Sequence, residues 1–223
     1  MPADPERCLR GVYGIVDDGL PHATPIPRQA EQLLLGGVKV LQVRLKRTPS
    51  TRALALIQDV VAQARAADAL ILVNDRVDWA LLCGADGVHV GDEDLSPQDA
   101  RARLGATAGV GVTVRNETDA KVAQANGATY VGLGPVFATK TKRVPAEPFG
   151  VLRLAQVARA SPLPVVAIGG IGLANIADVA QAGVAAAAVV SDALLAEDVA
   201  ARVRRLGEAF EAGAKLLTQA QNA

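Results

Sequence analysis

Aromatic residues are scarce, at 3% of the chain with one Trp, two Tyr and three Phe. A core must therefore be built from Ala, Val, Leu and Ile, and with half of the 223 residues apolar it can be a large one. Net charge is lacking too. The 23 basic residues balance 23 acidic ones, which gives no support to a nucleic-acid partner or an anionic membrane surface. No apolar run is long enough to cross a bilayer, and the opening MPADPERCLR, charged and proline-bearing, is unlike a secretion signal. Cys8 and Cys83 are the only cysteines, and without an export signal they read as free, reduced thiols. Histidines also number two. His22 sits in a loop without a partner, and His89 lies between two valines, where it reads as packed or base-contacting rather than metal-bound. A histidine-based metal site or triad is thus poorly supported. What remains is a neutral, soluble, cytoplasmic protein of one domain's length.

What is present is alternation. Short apolar runs, each ended by polar residues, trade places with segments of helical period. Strands are read at Gly11–Val16, Val38–Arg44, Leu70–Val73, Gly87–Val90, Gly109–Thr113, Thr129–Gly132, Pro164–Ile168 and Ala185–Val190. Ser96-Pro97 and Asn116 are helix starts. The last helix carries Val199, Val203, Leu206 and Phe210 on one stripe. Gly37-Val38, Gly84-Ala85, Gly127-Ala128 and Gly183-Val184 each close a helix and step into a strand, a place where glycine suits the left-handed residue. About eight strand–helix units fit. Strands apolar on both faces then predict a single (βα)8 TIM barrel of parallel strands over residues 1–223, with 1–10 as an N-terminal extension and 214–223 as a tail that could be disordered. A flavodoxin-like open sheet is the alternative fold and would need only about five strands.

In such a barrel, chemistry sits where strands end, and the conspicuous polar residues gather there. The stretch VNDRVDWALLCGADGVHVGDED, Val73 to Asp94, holds two neighbouring strands that both stop at acid. Parallel pairing brings Asp75 and Asp94 to one edge beside Asn74, an arrangement that suits Mg2+. On the stretch alone, a second reading stands equally: Asn74 or Asp75 caps the next helix, and Asp92 to Asp94 form a solvated turn. Alternation puts Gln42, Arg44 and Lys46 on one side of an extended segment, where Arg and Lys suit phosphate and Gln suits a heterocycle edge. The segment Ala138-Thr139-Lys140-Thr141-Lys142 offers hydroxyls and cations on a loop. Gly169-Gly170 and the residues around Ser191 suit a phosphate held by backbone N–H groups. Taken singly, each of these is equally an ordinary solvated edge or turn. Together they describe one mouth for a diphosphate leaving group and a phosphorylated acceptor.

The chain resembles the thiamine phosphate synthase family over nearly its whole length. QVRLK matches the family's Gln-x-Arg-x-Lys, the stretch from Val73 to Asp94 its metal-binding segment, GLGPVFATKTK its Thr-x-Thr-Lys loop, and VVAIGGI its late glycine pair. The resemblance implies an Mg2+-dependent transferase that joins 4-amino-2-methyl-5-(diphosphooxymethyl)pyrimidine to 4-methyl-5-(2-phosphooxyethyl)thiazole, releasing diphosphate. It implies Asp75 and Asp94 as metal ligands. Gln42, Val43, Arg44, Leu45, Lys46, Asn74, Thr113 and Lys142 would hold the aminopyrimidine diphosphate, and Thr139, Lys140, Thr141, Gly170, Val190 and Ser191 would line the thiazole phosphate side. Arg44, Lys46 and Lys142 would serve catalysis. The chain departs from the pattern at Asp92, where glutamine is usual, at Thr113 for serine, and at Arg115 for histidine; Asp92 is expected to add negative charge near the metal. Two alternatives remain: a thiazole tautomerase-like barrel, which lacks the metal acids, and a non-catalytic phosphate-ligand sensor. Partners are expected to be small molecules, with no nucleic acid and no membrane, and an oligomer is left open.

Overall fold

The computed structural model describes residues 9–21, 23–139 and 147–221. Eight strands pair in chain order and close on themselves as a barrel: β1 (Gly11–Asp17), β2 (Val40–Arg44), β3 (Leu70–Asn74), β4 (Gly87–Val90), β5 (Gly109–Val114), β6 (Tyr130–Leu133), β7 (Val165–Ile168) and β8 (Ala186–Val189). Every pairing is parallel, including the closing register of Gly11 on Ala186. Between and after them run helices α1 (Ile26–Leu35), α2 (Ser50–Ala66), α3 (Val77–Cys83), α4 (Pro97–Leu104), α5 (Glu117–Ala125), α6 (Gly150–Ala160), α7 (Ile176–Gln181), α8 (Ser191–Leu194) and α9 (Val199–Gln221). The expected (βα)8 barrel is the observed fold. No helix among the described residues is long and apolar enough to cross a membrane.

The two faces of each strand serve two cores. Outward residues such as Val16, Leu41, Val43, Ile71, Val73 and Val131 pack under the helices. Inward ones (Tyr13, Ile15, Val40, Leu70, Leu72, Tyr130, Val166, Ala186 and Ala188) fill the barrel, joined by Leu9 from the segment before β1. The four glycine junctions all have positive φ, between 65° and 97°. At three of them the next residue's N–H reaches back five residues, as in Val38 to Leu33, Ala85 to Ala80 and Ala128 to Ala123, the bond that closes a Schellman motif. Asp68, with φ 50°, does the same at the end of α2, where Ala69 N–H donates to Ala64 O. Ser96 and Asn116 are the expected caps, accepting from the backbone N–H of Asp99 and Asp119.

The carboxy-terminal segment is more regular than a loose tail. α9 stays helical to Gln221. Its buried stripe of Val203, Leu206 and Phe210 continues to Gly213, where an added Cβ would stand 2.2 Å from Ala177 O of α7. Two helices that pass so closely carry the helical conformation beyond the contact.

Space inside the barrel is tight around Tyr130. A Cβ built on Gly111 would lie 2.0 Å from the Tyr130 Cζ, and one on Gly132 would lie 2.8 Å from the His89 Cε1. Overpacking a filled core costs stability because side chains leave their preferred rotamers. Gly111→Ala should therefore destabilise the protein by on the order of 3 kcal/mol and lower Tm by roughly 5–10 °C, measured by thermal unfolding. An unchanged Tm would show that Tyr130 can turn aside.

Candidate active site

Gln42 is buried inside the barrel, and its Nε2 donates to the Tyr13 hydroxyl at 2.7 Å. Two residues further along β2, Arg44 donates from Nη1 to Asp17 Oδ2 at 2.7 Å. Two further again, Lys46 pairs with the Asp75 carboxylate. Val43 and Leu45 point the other way into the helix-side core. The alternation read from the sequence thus sets a donor-and-acceptor amide, a guanidinium and an ammonium in one ascending row.

Asp75 owes its position to an unusual backbone. Its φ is 63°, and Arg76 N–H donates to Asn74 O at 2.7 Å across it, closing a three-residue turn, while its own N–H donates to His89 O at 2.8 Å. Such γ-turns with a positive central φ are rare and strained. Arg76, not Asn74 or Asp75, occupies the position before α3, and no side chain caps that helix. The capping reading of Asn74 or Asp75 is therefore set aside: the tight turn aims the Asp75 carboxylate at the mouth. Arg76 faces away, bonded to Asp78 and lying 4.2 Å over the Trp79 ring.

Asp94 arrives from β4 through a turn in which Asp94 N–H donates to Gly91 O at 3.2 Å and Gly91 N–H donates to Asp94 Oδ2 at 2.8 Å. Burial pushes its carboxyl above the usual range, and the hydrogen-bonded, negatively charged Asp75 beside it pushes the same way. Two carboxylates are thus brought into contact at one rim with Lys46 against them. Among the described residues no group of three or more His, Cys, Asp or Glu side chains comes together, so a cation here would rely on a carboxylate pair.

Around this centre the other candidates take their places. Asn74 ends β3 beside His89. Thr113 Oγ1 lies 3.1 Å from His89 Nε2. Asp92 and Arg115 face each other at 2.7 Å. Two of the three departures from the family's pattern therefore form one ion pair, and the negative charge that Asp92 was expected to add is balanced by Arg115. Val190 follows β8, its carbonyl accepting from Leu194 N–H at 2.9 Å, and Ser191 opens α8. Gly169 and Gly170 have φ of 104° and 64°. A Cβ on Gly170 would meet Ala138 O at 2.5 Å, so this pair lets the chain before Thr139 pack onto the end of β7. A side chain there would displace that chain whether or not a phosphate binds. Lys140, Thr141 and Lys142 lie outside the described residues, as do Cys8 and His22.

Residues 12–193 match the family model described as thiamine monophosphate synthase. The chain belongs to that family. It is 58% identical over 204 residues to the thiamine-phosphate synthase of Myxococcus xanthus, covering 92% of this chain and 94% of that one. It is 48% identical over 205 residues to that of Anaeromyxobacter dehalogenans, covering 92% and 90%. Among solved structures, a thiamine phosphate pyrophosphorylase from Pyrococcus furiosus superimposes with a TM-score of 0.85 at 32% identity, covering 93% of this chain and 98% of that one.

Three site residues escape the sequence reading. Asp17, almost fully buried, holds Arg44 and also accepts from Gly19 N–H at 2.6 Å. Tyr13 and Tyr130, the only tyrosines of the chain, meet inside the barrel. Asp18 is recognisable as well, for β1 ends in acid just as β3 and β4 do. Its carboxylate accepts from the backbone N–H groups of Lys46, Arg47 and Thr48 and from the Thr48 hydroxyl, at 2.7–2.9 Å. It clasps the segment that carries Lys46.

Burial raises the Asp18 carboxyl, but these donors outweigh it and hold the group below its ordinary value. A lowered folded pKa means that the clasp is at full strength above the unfolded value and is lost as pH falls through the folded one. Asp18→Asn should cost about 1.5–3 kcal/mol at pH 7, by urea unfolding. The gap between variant and parent should begin to narrow below about pH 4 and go on narrowing as the pH falls further. A gap that does not narrow at all on acidification would show that the charge of Asp18 does not carry the clasp.

Proposed function

We propose that this chain condenses 4-amino-2-methyl-5-(diphosphooxymethyl)pyrimidine with 4-methyl-5-(2-phosphooxyethyl)thiazole, giving thiamine phosphate and diphosphate. Family membership makes it an enzyme of the transferase class; the two substrates and the metal are the finer reading. The observation that supports it most is the rim itself: the touching carboxylates of Asp75 and Asp94, with Lys46 and Arg44 rising beside them.

The carboxylate pair fits Mg2+, which is commonly held by one or two carboxylates and completes its shell with water and phosphate oxygens. Two half-buried carboxylates in contact repel, and a divalent ion held by both would remove that cost. Asp75 and Asp94 would hold it, and when bound it would neutralise charge on the departing diphosphate. Lys46 would then exchange its contact with Asp75 for a diphosphate oxygen, and Arg44, anchored by Asp17, would offer its fork to another. Lys142 would meet the same leaving group. Positive groups already in place where negative charge grows lower the barrier without reorganising. Gln42, Asn74 and Thr113 would hold the pyrimidine ring. The 4-amino group can share positive charge arising on the methylene carbon, which favours bond breaking ahead of attack by the thiazole nitrogen. Thr139, Thr141, Gly170, Val190 and Ser191 would take the thiazole phosphate. No protein nucleophile is needed.

Purified protein should form thiamine phosphate from the two substrates only with Mg2+ or a close substitute; chelation should abolish the reaction and added Mg2+ restore it. Asp94→Asn removes one charge and little volume. It should fold normally, weaken Mg2+ binding in calorimetry, and lower turnover about a hundredfold or more. Full activity in excess chelator would remove the metal from this reading. Thiazole tautomerisation without condensation would favour the tautomerase-like alternative, and binding without turnover a sensor.

A further inference from the structure

Beneath the mouth, five side chains form a continuous hydrogen-bonded line across the barrel. Gln42 Nε2 donates to Tyr13 OH at 2.7 Å. Tyr13 OH lies 3.0 Å from Tyr130 OH, which lies 3.0 Å from His89 Nδ1. His89 Nε2 lies 3.1 Å from Thr113 Oγ1. The His89 and Tyr130 rings pack at 5.5 Å. Both tyrosines and Gln42 are buried. The line ends at two residues, Gln42 and Thr113, that the functional reading assigns to the pyrimidine.

The direction of the line follows from proton counting. An amide nitrogen can only donate, so Tyr13 OH accepts from Gln42, and its own buried proton is paired along the line only when it is given to Tyr130. By the same cost, Tyr130 OH, accepting from Tyr13, pairs its proton by giving it to His89 Nδ1. The bond made by one ring nitrogen of a neutral histidine sets the state of the other, so the proton sits on Nε2 and is donated to Thr113. Thr113 Oγ1 accepts, and its own proton is left to point elsewhere. Gln42 then turns its acceptor, Oε1, away from Tyr13, with the second Nε2 proton beside it, and Thr113 shows a donor. Turning the Gln42 amide over would require every bond to reverse, leaving Gln42 a donor and Thr113 an acceptor. The two ends cannot change separately. Burial drives both phenol pKa values upward, so each tyrosine keeps the proton that the count requires.

We propose that Tyr13, Tyr130 and His89 are positioning residues that act as a one-way hydrogen-bond relay, fixing Gln42 as acceptor and Thr113 as donor and so selecting an amino- over an oxo-pyrimidine. This rests on the functional reading above. The 4-amino group and ring N3 offer a donor next to an acceptor. A 4-oxo ring offers the reverse, and a diphosphate anchored at the rim prevents the ring from turning over to compensate. A mispaired group in a desolvated site costs more than a matched bond gains.

The first test is equilibrium binding of the 4-amino and 4-oxo pyrimidine diphosphates by calorimetry, without the thiazole partner. Tyr130→Phe keeps the ring and removes the middle oxygen. The parent should prefer the amino compound, and the variant should lose about ten- to a hundredfold of that preference, the equivalent of one mispaired buried group. An unchanged ratio in a variant that unfolds as cooperatively as the parent would overturn the relay. A parent that binds neither pyrimidine would instead sink the functional reading and the selectivity with it. The second measurement needs no substrate and no Tyr130 variant: 15N spectra of histidine-labelled parent protein, with His89 identified by its loss in His89→Gln. The relay requires a bare Nδ1 and a protonated Nε2. The opposite tautomer would reverse the line and refute it.

Discussion

The constraint on which everything else depends is that, in a closed barrel of parallel strands, side chains alternate between inside and outside and all strands end at one rim. A residue two places beyond an inner core residue must stand closer to the mouth. Val40 leads to Gln42 and Arg44, Leu72 to Asn74, Gly111 to Thr113, and Ala188 to Val190. Strands β2, β3 and β5 thus grade from apolar packing to polar chemistry, and the gradient runs the same way in each. The barrel does not need long loops to assemble the rim, because the strands deliver it.

Charge at that rim is interlocked. Arg44 rests on Asp17, Lys46 on Asp75, and Arg115 on Asp92. Exposed pairs such as Asp92–Arg115 contribute little to stability, whereas Asp17 is almost fully buried and Arg44 is what balances it. Removing one partner of a buried pair leaves an uncompensated charge, which costs more than the pair gains. Arg44 is for that reason tied to the fold as well as to the site. Lys46 is half-exposed, held by a backbone clasp at Asp18 rather than by its own charge, and is the freer of the two cations to change partners.

How much of this the sequence shows depends on whether a feature is local. All eight strands are legible because their apolar runs end in glycine or polar residues, and the glycine junctions follow from the left-handed residue that a helix end requires. A pattern based on glycine misses the end of α2, where Asp68 adopts that conformation. The convergence of Asp75 and Asp94 is legible because parallel pairing demands it. The γ-turn at Asp75 is not, since strained backbone at a non-glycine residue carries no composition signal. The pairing of Asp92 with Arg115 joins residues 23 positions apart, and only the register of β4 on β5 brings them together.

The scarcity of aromatics acquires a physical meaning inside the barrel. Its inner walls are lined by small residues, Ala186 and Ala188 on β8 and glycines at 87, 111 and 132. Two of these leave the room that aromatic rings fill: Tyr130 lies against Gly111, and His89 against Gly132. An all-aliphatic filling would pack as densely, but it could not carry a hydrogen bond from one side of the mouth to the other. Buried hydroxyls and a ring nitrogen are costly unless each is partnered, and along this line neighbouring members partner one another. The polar groups satisfy one another only when all are present in a single order. That dependence lets a few buried atoms set the donor and acceptor pattern at Gln42 and Thr113 together.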